Sequence, residues 1–170
     1  MNTVKPDAII VAVGAKPVKP DIPGIDRENV MYAADVYYHP EKAGRKIVVI
    51  GGGLVGCEVG SHLANVGHSV EILEMGPELA PEDNGFHHCG MMAFWEGKAI
   101  RGFTGMKVTK ITEEGVYAET EDGKTMIFEA DTILYSVGSR ADTSVTDEMR
   151  KYCYDVVPAG DCLKSGRIVD

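Results

Sequence analysis

An α/β fold is the expectation for this chain: a parallel sheet with helices packed on it, interrupted by an antiparallel three-strand meander. Three observations carry it. Ile47, Val48, Val49 and Ile50 form an unbroken apolar run that stops at Gly51, Gly52, Gly53 and Gly56. A helical pattern follows, then a second apolar segment, Val70–Leu73, closed by Glu74. Beyond Gly97 the pattern shortens to strand-length runs separated by turn residues.

The run at 47–50 reads as a strand covered on both faces, since a one-sided strand would alternate with polar residues. The next helix is expected from about Leu54 to Val66, stopped at Gly67, which can adopt the left-handed conformation that ends helices. Gly56, Gly60 and Ala64 recur every four residues and predict a small-residue stripe that lets the helix lie close to the sheet. Val55, Val59, Leu63 and Val66 are expected to add apolar contact. After strand Val70–Leu73 comes a loop with Gly76, Pro77 and Pro81. A second helix then starts at Asp83 or Asn84, both good N-caps, and runs to about Phe94.

Met106–Ile111, Val116–Thr120 and Thr125–Phe128 read as the meander, with Asp122-Gly123 as a tight hairpin. Thr132–Val137 returns as one more parallel strand and runs into Gly138. Upstream, Ile9–Val13 is a buried-strand candidate. Pro17, Pro20 and Pro23 then enforce an extended connector, and a short helical turn is expected at Ala33–Tyr37. Residues 141–170 read as a tail in which Pro158-Ala159-Gly160-Asp161 is the recognisable element.

Composition narrows the function classes. A formal net charge of −9 over 170 residues argues against a nucleic-acid footprint and against attraction to anionic membranes. No apolar run approaches the ~20 residues of a membrane-spanning helix. MNTVKPD holds no hydrophobic signal core, which points to the cytoplasm. Cys57, Cys89, Cys153 and Cys162 form no CxxC pair, so there is no signal for a dithiol centre or zinc knuckle, and free thiols are expected. His87, His88 and Cys89 are adjacent and would leave a helix in different directions, so a surface or packing role is favoured over a ligand set. Phe94 and Trp95 read as core or interface.

The order strand, Gly51-Gly52-Gly53-Leu54-Val55-Gly56, helix, strand, acid is the dinucleotide-binding fingerprint of a Rossmann-like sheet. A diphosphate needs donors at close range. The helix opening at Leu54 and Val55 offers backbone amides and the positive end of the helix dipole. Gly51 permits the tight turn, Gly53 lets backbone approach phosphate, and Gly56 lets helix and strand pack closely. Glu74 at the second strand's tip suits unphosphorylated ribose hydroxyls, whereas a 2′-phosphate would need Arg or Lys. No Lys or Arg occurs between Lys46 and Lys98, while Glu58, Glu71, Glu74, Glu78, Glu82, Asp83 and Glu96 are acidic. NAD(H) is therefore expected over NADP(H). A methyltransferase-like domain can also carry a Gly-rich turn and a later acid, but the GxGxxG spacing and the later Val137-Gly138 argue against it.

Four segments in order, Pro6–Asp26, the fingerprint, Ile133–Asp142 and Pro158–Cys162, resemble the two-dinucleotide-binding flavoprotein superfamily that includes the pyridine nucleotide-disulfide oxidoreductases. More narrowly, nearly the whole chain is similar to the C-terminal region of NADH:flavin oxidoreductases of the Old Yellow Enzyme / 2,4-dienoyl-CoA reductase type. The resemblance implies a nicotinamide domain inserted within an FAD domain. Residues 1–44 would be an FAD-domain remnant and connector, 45–140 the NAD(H)-binding domain, and 141–170 the return segment. It also implies that Asp161 contacts the flavin ribityl chain, that Glu58 lies near the nicotinamide, and that Val137 and Gly138 meet its carboxamide face.

Only one fingerprint occurs here. By the resemblance, the FAD domain's own Gly-rich turn, the barrel for FMN and substrate, and the cysteine cluster for an iron–sulfur centre would belong to a parent enzyme. The expectation is thus a fragment that presents NADH for hydride transfer to the parent's FAD and is not catalytic alone. The alternatives are a non-catalytic dinucleotide sensor or regulatory module, and a self-sufficient dehydrogenase, for which no acid/base constellation is found. Glu58 reads equally well as an acid complementing the helix dipole, and Asp161 as a solvated loop acid.

Overall fold

The computed structural model describes residues 5–81, 83 and 85–166. They divide into two compact units. One is Lys19–Gly138; the other joins the described residues up to Val18 with those from Ser139 onward.

The larger unit is built on five parallel strands. In chain order they are β3 (Val30–Tyr32), β4 (Lys46–Ile50), β5 (Ser69–Leu73), β6 (Ile100–Phe103) and β10 (Thr132–Tyr135), arranged β3-β10-β4-β5-β6. The apolar run in β4 has two destinations. Ile47 and Val49 pack with Val70, Ile72 and Leu134 beneath the helices α1 (Ala33–Tyr37), α2 (Leu54–Asn65) and α3 (Gly85–Trp95). Val48 and Ile50 face the antiparallel meander of β7 (Lys107–Ile111), β8 (Val116–Glu119) and β9 (Thr125–Phe128), through Ile111, Val116, Ala118 and Phe128. Both faces are covered, which is why the strand is apolar at successive positions.

The small-residue stripe on α2 does what its spacing predicts. Gly56, Gly60 and Ala64 are buried, and a Cβ at Gly60 would sit 2.9 Å from Ile72 Cδ1. Val59 and Leu63 complete the contact, whereas Val55 and Val66 are about half exposed because they lie outside the arc that meets the sheet. Gly67 ends α2 at φ +104°.

Several expectations are revised. Strand β6 extends the sheet past β5, although Arg101 and Gly102 gave its sequence no apolar run. The second helix is described from Gly85; of its two expected N-caps, Asn84 lies outside the described residues. Residues 19–44 contribute β3 and α1 to the larger unit, so the seams between compact units fall after Val18 and Gly138. The short helix at Ala33–Tyr37 is where it was expected.

The smaller unit pairs the two ends of the chain. Strand β1 (Ala8–Val11) runs parallel to β12 (Asp155–Pro158), and β2 (Ala15–Pro17) is antiparallel to β11 (Ser139–Ala141). Segment 141–170 is therefore more than a tail. It supplies α4 (Ser144–Met149), β12 and a 3-10 turn, Gly160–Cys162. Val11, Cys153, Val156 and Cys162 form its small core. Ile10 and Val157, register partners across β1 and β12, remain 75% and 50% exposed.

Candidate functional site

The site lies in the crevice at the carboxyl end of β4, between β10 and β5, where the strand order departs from the chain order. Open parallel sheets bind ligands in such crevices. Gly51 bends the chain there at φ +102°, and a Cβ on it would meet the Ser136 carbonyl oxygen at 2.3 Å. Gly56 is equally confined, since its Cβ would stand 2.1 Å from Gly51 O. Gly53 differs: a Cβ there would meet no atom within 4 Å. Two glycines are thus required by packing, and the third borders open space.

Gly53 caps α2 and has no side chain to do so. The first helical bond runs from Cys57 N to Gly53 O at 3.0 Å. The amides of Leu54, Val55 and Gly56 precede it and have no i→i−4 acceptor. A twelve-residue helix therefore opens with uncapped donors beside free space. The residues present fit a diphosphate, which supplies the acceptors and complements the helix dipole.

Glu74 follows β5 directly and is tied to the turn from both of its oxygens. Oε2 accepts a hydrogen bond from Gly52 N at 2.6 Å, and Oε1 accepts one from Gly76 N at 2.6 Å. Each carboxylate oxygen keeps a further lone pair for a sugar hydroxyl. The Gly52 carbonyl is held in turn by Ala80 N at 2.7 Å and by the Cys57 thiol at 3.3 Å. Leu79 closes over Gly52, with Cδ2 2.5 Å from where its Cβ would be. Burial, and secondly the Glu74 charge, push the Cys57 thiol up to about 12, so it stays a protonated donor.

The sequence reading missed this collar of Leu79, Ala80 and Cys57. Ala80 is a non-glycine residue at φ +45°, and no local pattern announces that its amide is needed at Gly52. The visible hint was the Gly76-Pro77 turn following the acid.

The remaining expected residues are distributed unevenly. Val137 comes to the turn: its Cγ1 would lie 3.3 Å from a Cβ on Gly51. Gly138 follows at φ +98° with open space around it. Glu58 is on the exposed side of α2, one turn after Leu54. Asp161 is exposed in the 3-10 turn of the smaller unit. His87 Nδ1 sits 2.8 Å from Asp83 Oδ2, a paired surface histidine.

With that geometry in place, comparisons with known proteins are informative. The chain is 36% identical over 157 residues to a bilirubin reductase from Mediterraneibacter gnavus, covering 92% of this chain and 24% of that protein. It is 34% identical to an NADH oxidase from Thermoanaerobacter brockii, over 98% of this chain and 26% of the relative. A solved structure of 2-naphthoyl-CoA reductase with 2-naphthoyl-CoA superposes with a TM-score of 0.90 at 28% identity, covering 96% of this chain and 25% of that one. The chain thus spans about a quarter of the length of these relatives. Residues 1–156 match the family described as pyridine nucleotide-disulphide oxidoreductase, and to that family the chain belongs.

Proposed function

We propose that this chain is the NAD(H)-binding part of a longer flavin-dependent NADH oxidoreductase. The observation that carries the reading is the uncapped start of α2 at Gly53, flanked by open space and by Glu74 pinned across the turn. The amides of Leu54, Val55 and Gly56 hold the diphosphate, while Glu74 receives the adenosine ribose hydroxyls and disfavours a 2′-phosphate. Val137 and Gly138 border the nicotinamide side of the turn, and Glu58 lies next to it on α2. When bound, NADH supplies a hydride to FAD in the parent enzyme; the protein's part is to bind and orient it.

The smaller unit supports the view that more of the protein surrounds this chain. A two-stranded parallel sheet with Ile10 and Val157 on an open face is a poor stand-alone element, because parallel strands are ordinarily covered on both sides. Asp161 belongs to that unit and would meet flavin only once the FAD domain is complete. Likeness to 2-naphthoyl-CoA reductase and to the NADH oxidase favours a parent of the Old Yellow Enzyme / 2,4-dienoyl-CoA reductase type, carrying an FMN barrel and an iron–sulfur centre as further parts. No helix among the described residues is long and apolar enough to cross a membrane, and a cytoplasmic setting remains our expectation.

The test is the polypeptide encoded by the complete reading frame, purified with its flavin. Anaerobic NADH should bleach its flavin band, and NADPH should do so much more slowly. A reading frame with no flavin domain, or a flavin that NADH leaves oxidised, overturns the proposal in favour of a sensor module.

A further inference from the structure

Gly51, Gly52 and Gly53 stand in a row at the turn, and the peptide between the last two has no side chain on either flank. Glycine populates both signs of φ, so such a peptide can turn over at little cost. Gly53 lies at φ −65°, and a half-turn of the peptide would bring it to roughly +115°, a value that suits glycine. Nothing obstructs that rotation at Gly53, where even an added Cβ would meet no atom within 4 Å.

The two orientations differ in what they show a ligand. A trans peptide is planar and points its carbonyl and its N–H in opposite directions. No peptide bond among the described residues is cis. The Gly52 carbonyl accepts from Ala80 N at 2.7 Å and from the Cys57 thiol at 3.3 Å, and both of these residues are buried. The Gly53 N–H therefore points away from the buried pair, and it makes no hydrogen bond among the described residues. A reversed peptide would present the Gly52 oxygen in its place, an acceptor where an anion needs a donor.

The groups holding the carbonyl are themselves fixed. Ala80 sits at φ +45°, which a residue with a Cβ adopts only at a cost, and its own carbonyl accepts from Asp83 N at 2.9 Å. Burial and the Glu74 charge keep the Cys57 thiol protonated and hence a donor. Glu74 does not duplicate this hold. It accepts from Gly52 N, which belongs to the preceding peptide.

We propose that Ala80 and Cys57 are positioning residues: by holding the Gly52 carbonyl inward, they aim the Gly53 N–H outward as a further donor to the diphosphate. The inference rests on the dinucleotide reading and adds to it a latch whose Ala80 arm lies outside the glycine fingerprint.

The test combines NMR of the unliganded full chain with titrations of NADH, ADP and adenosine. The Gly53 amide should give one sharp resonance in the wild type and a broadened or doubled one in Cys57→Ala and Ala80→Val. The second substitution places a β-branched residue where φ is positive. Both should weaken NADH and ADP, about threefold without the thiol and about tenfold with the Ala80 amide displaced. Adenosine, which carries no phosphate, should stay within about twofold. Cys57→Ser returns a donor to the Gly52 carbonyl and should recover both the sharp resonance and most of the lost affinity. The Cys57 variants decide the matter if Ala80→Val does not fold. An unchanged Gly53 resonance and ADP affinity in Cys57→Ala, equal losses for ADP and adenosine, or no recovery in Cys57→Ser would each overturn the positioning role, while NADH binding by the wild type keeps the dinucleotide reading. A wild type that binds neither NADH nor ADP overturns both.

Discussion

The Glu74 carboxylate and the Gly52 amide are joined by a 2.6 Å hydrogen bond that ties the tip of β5 to the turn after β4. With Gly76 N bound to the other oxygen, one side chain fixes two loops and still presents lone pairs outward. On the function proposed above, selection of the sugar and rigidity of the turn depend on the same group.

Removing that group should affect both. Hydrogen bonds to a charged partner contribute about 1.5–3 kcal/mol, so Glu74→Ala should weaken NADH roughly tenfold or more and lower the melting temperature. Glu74→Gln keeps a single acceptor oxygen and should fall between the two. Calorimetric titration and thermal melts check this. An alanine variant that binds NADH like the parent would remove Glu74 from the site.

Two glycines on α2 should respond differently to alanine. At Gly56 the new methyl meets the backbone oxygen of Gly51 at 2.1 Å, an atom that cannot yield without breaking the turn. At Gly60 it meets the tip of Ile72 at 2.9 Å, which can rotate. Gly56→Ala should cost about 1–3 kcal/mol or more by overpacking, while the cost at Gly60 is partly offset by alanine's helix preference of about 1 kcal/mol. Urea midpoints of the two variants should separate accordingly; coincident midpoints would contradict the packing argument.

Thiol chemistry distinguishes the cysteines. Cys89 is exposed, whereas Cys57, Cys153 and Cys162 are buried. Burial holds the Cys57 thiol up near about 12, so at pH 8 it has almost no thiolate. One fast-reacting thiol per folded chain is expected with Ellman's reagent, and four after denaturation. Rapid labelling of Cys57 in the native protein would mean that the collar around Gly52 opens.

In the smaller unit, Lys16 Nζ lies 2.5 Å from Asp142 Oδ2. That hydrogen bond, aided by Ser144, holds the Asp142 carboxyl down to about 2. A depressed carboxylate favours the folded state above its unfolded value of about 4, and the contribution disappears as pH falls toward 2. Lys16→Met should therefore flatten the stability profile between pH 4 and pH 2, measured by denaturant unfolding. An unchanged slope would show that the pair contributes nothing there.

Much of the larger unit was legible because its strands, turns and helix ends leave local signatures. Ile47–Ile50, the four glycines, Gly67 and Asp122-Gly123 each constrain backbone conformation by residue type. Strand β6 was not legible, because an edge strand with Arg101 and Gly102 owes its place to pairing with β5. The pairing of β1 with β12 joins segments nearly 150 residues apart, a relationship that no local window contains. Ala80 was invisible for a similar reason: its left-handed backbone is imposed by the Gly52 carbonyl it serves.

The central claim is that amides at the start of α2 hold a diphosphate while Glu74 selects the unphosphorylated ribose. Calorimetric titration of the purified chain with NADH and NADPH tests it most directly. The account predicts submillimolar NADH binding, NADPH weaker by roughly tenfold or more, and a gap that collapses in Glu74→Ala. Equal affinities for the two dinucleotides in the wild-type chain, or no binding of either, would contradict it.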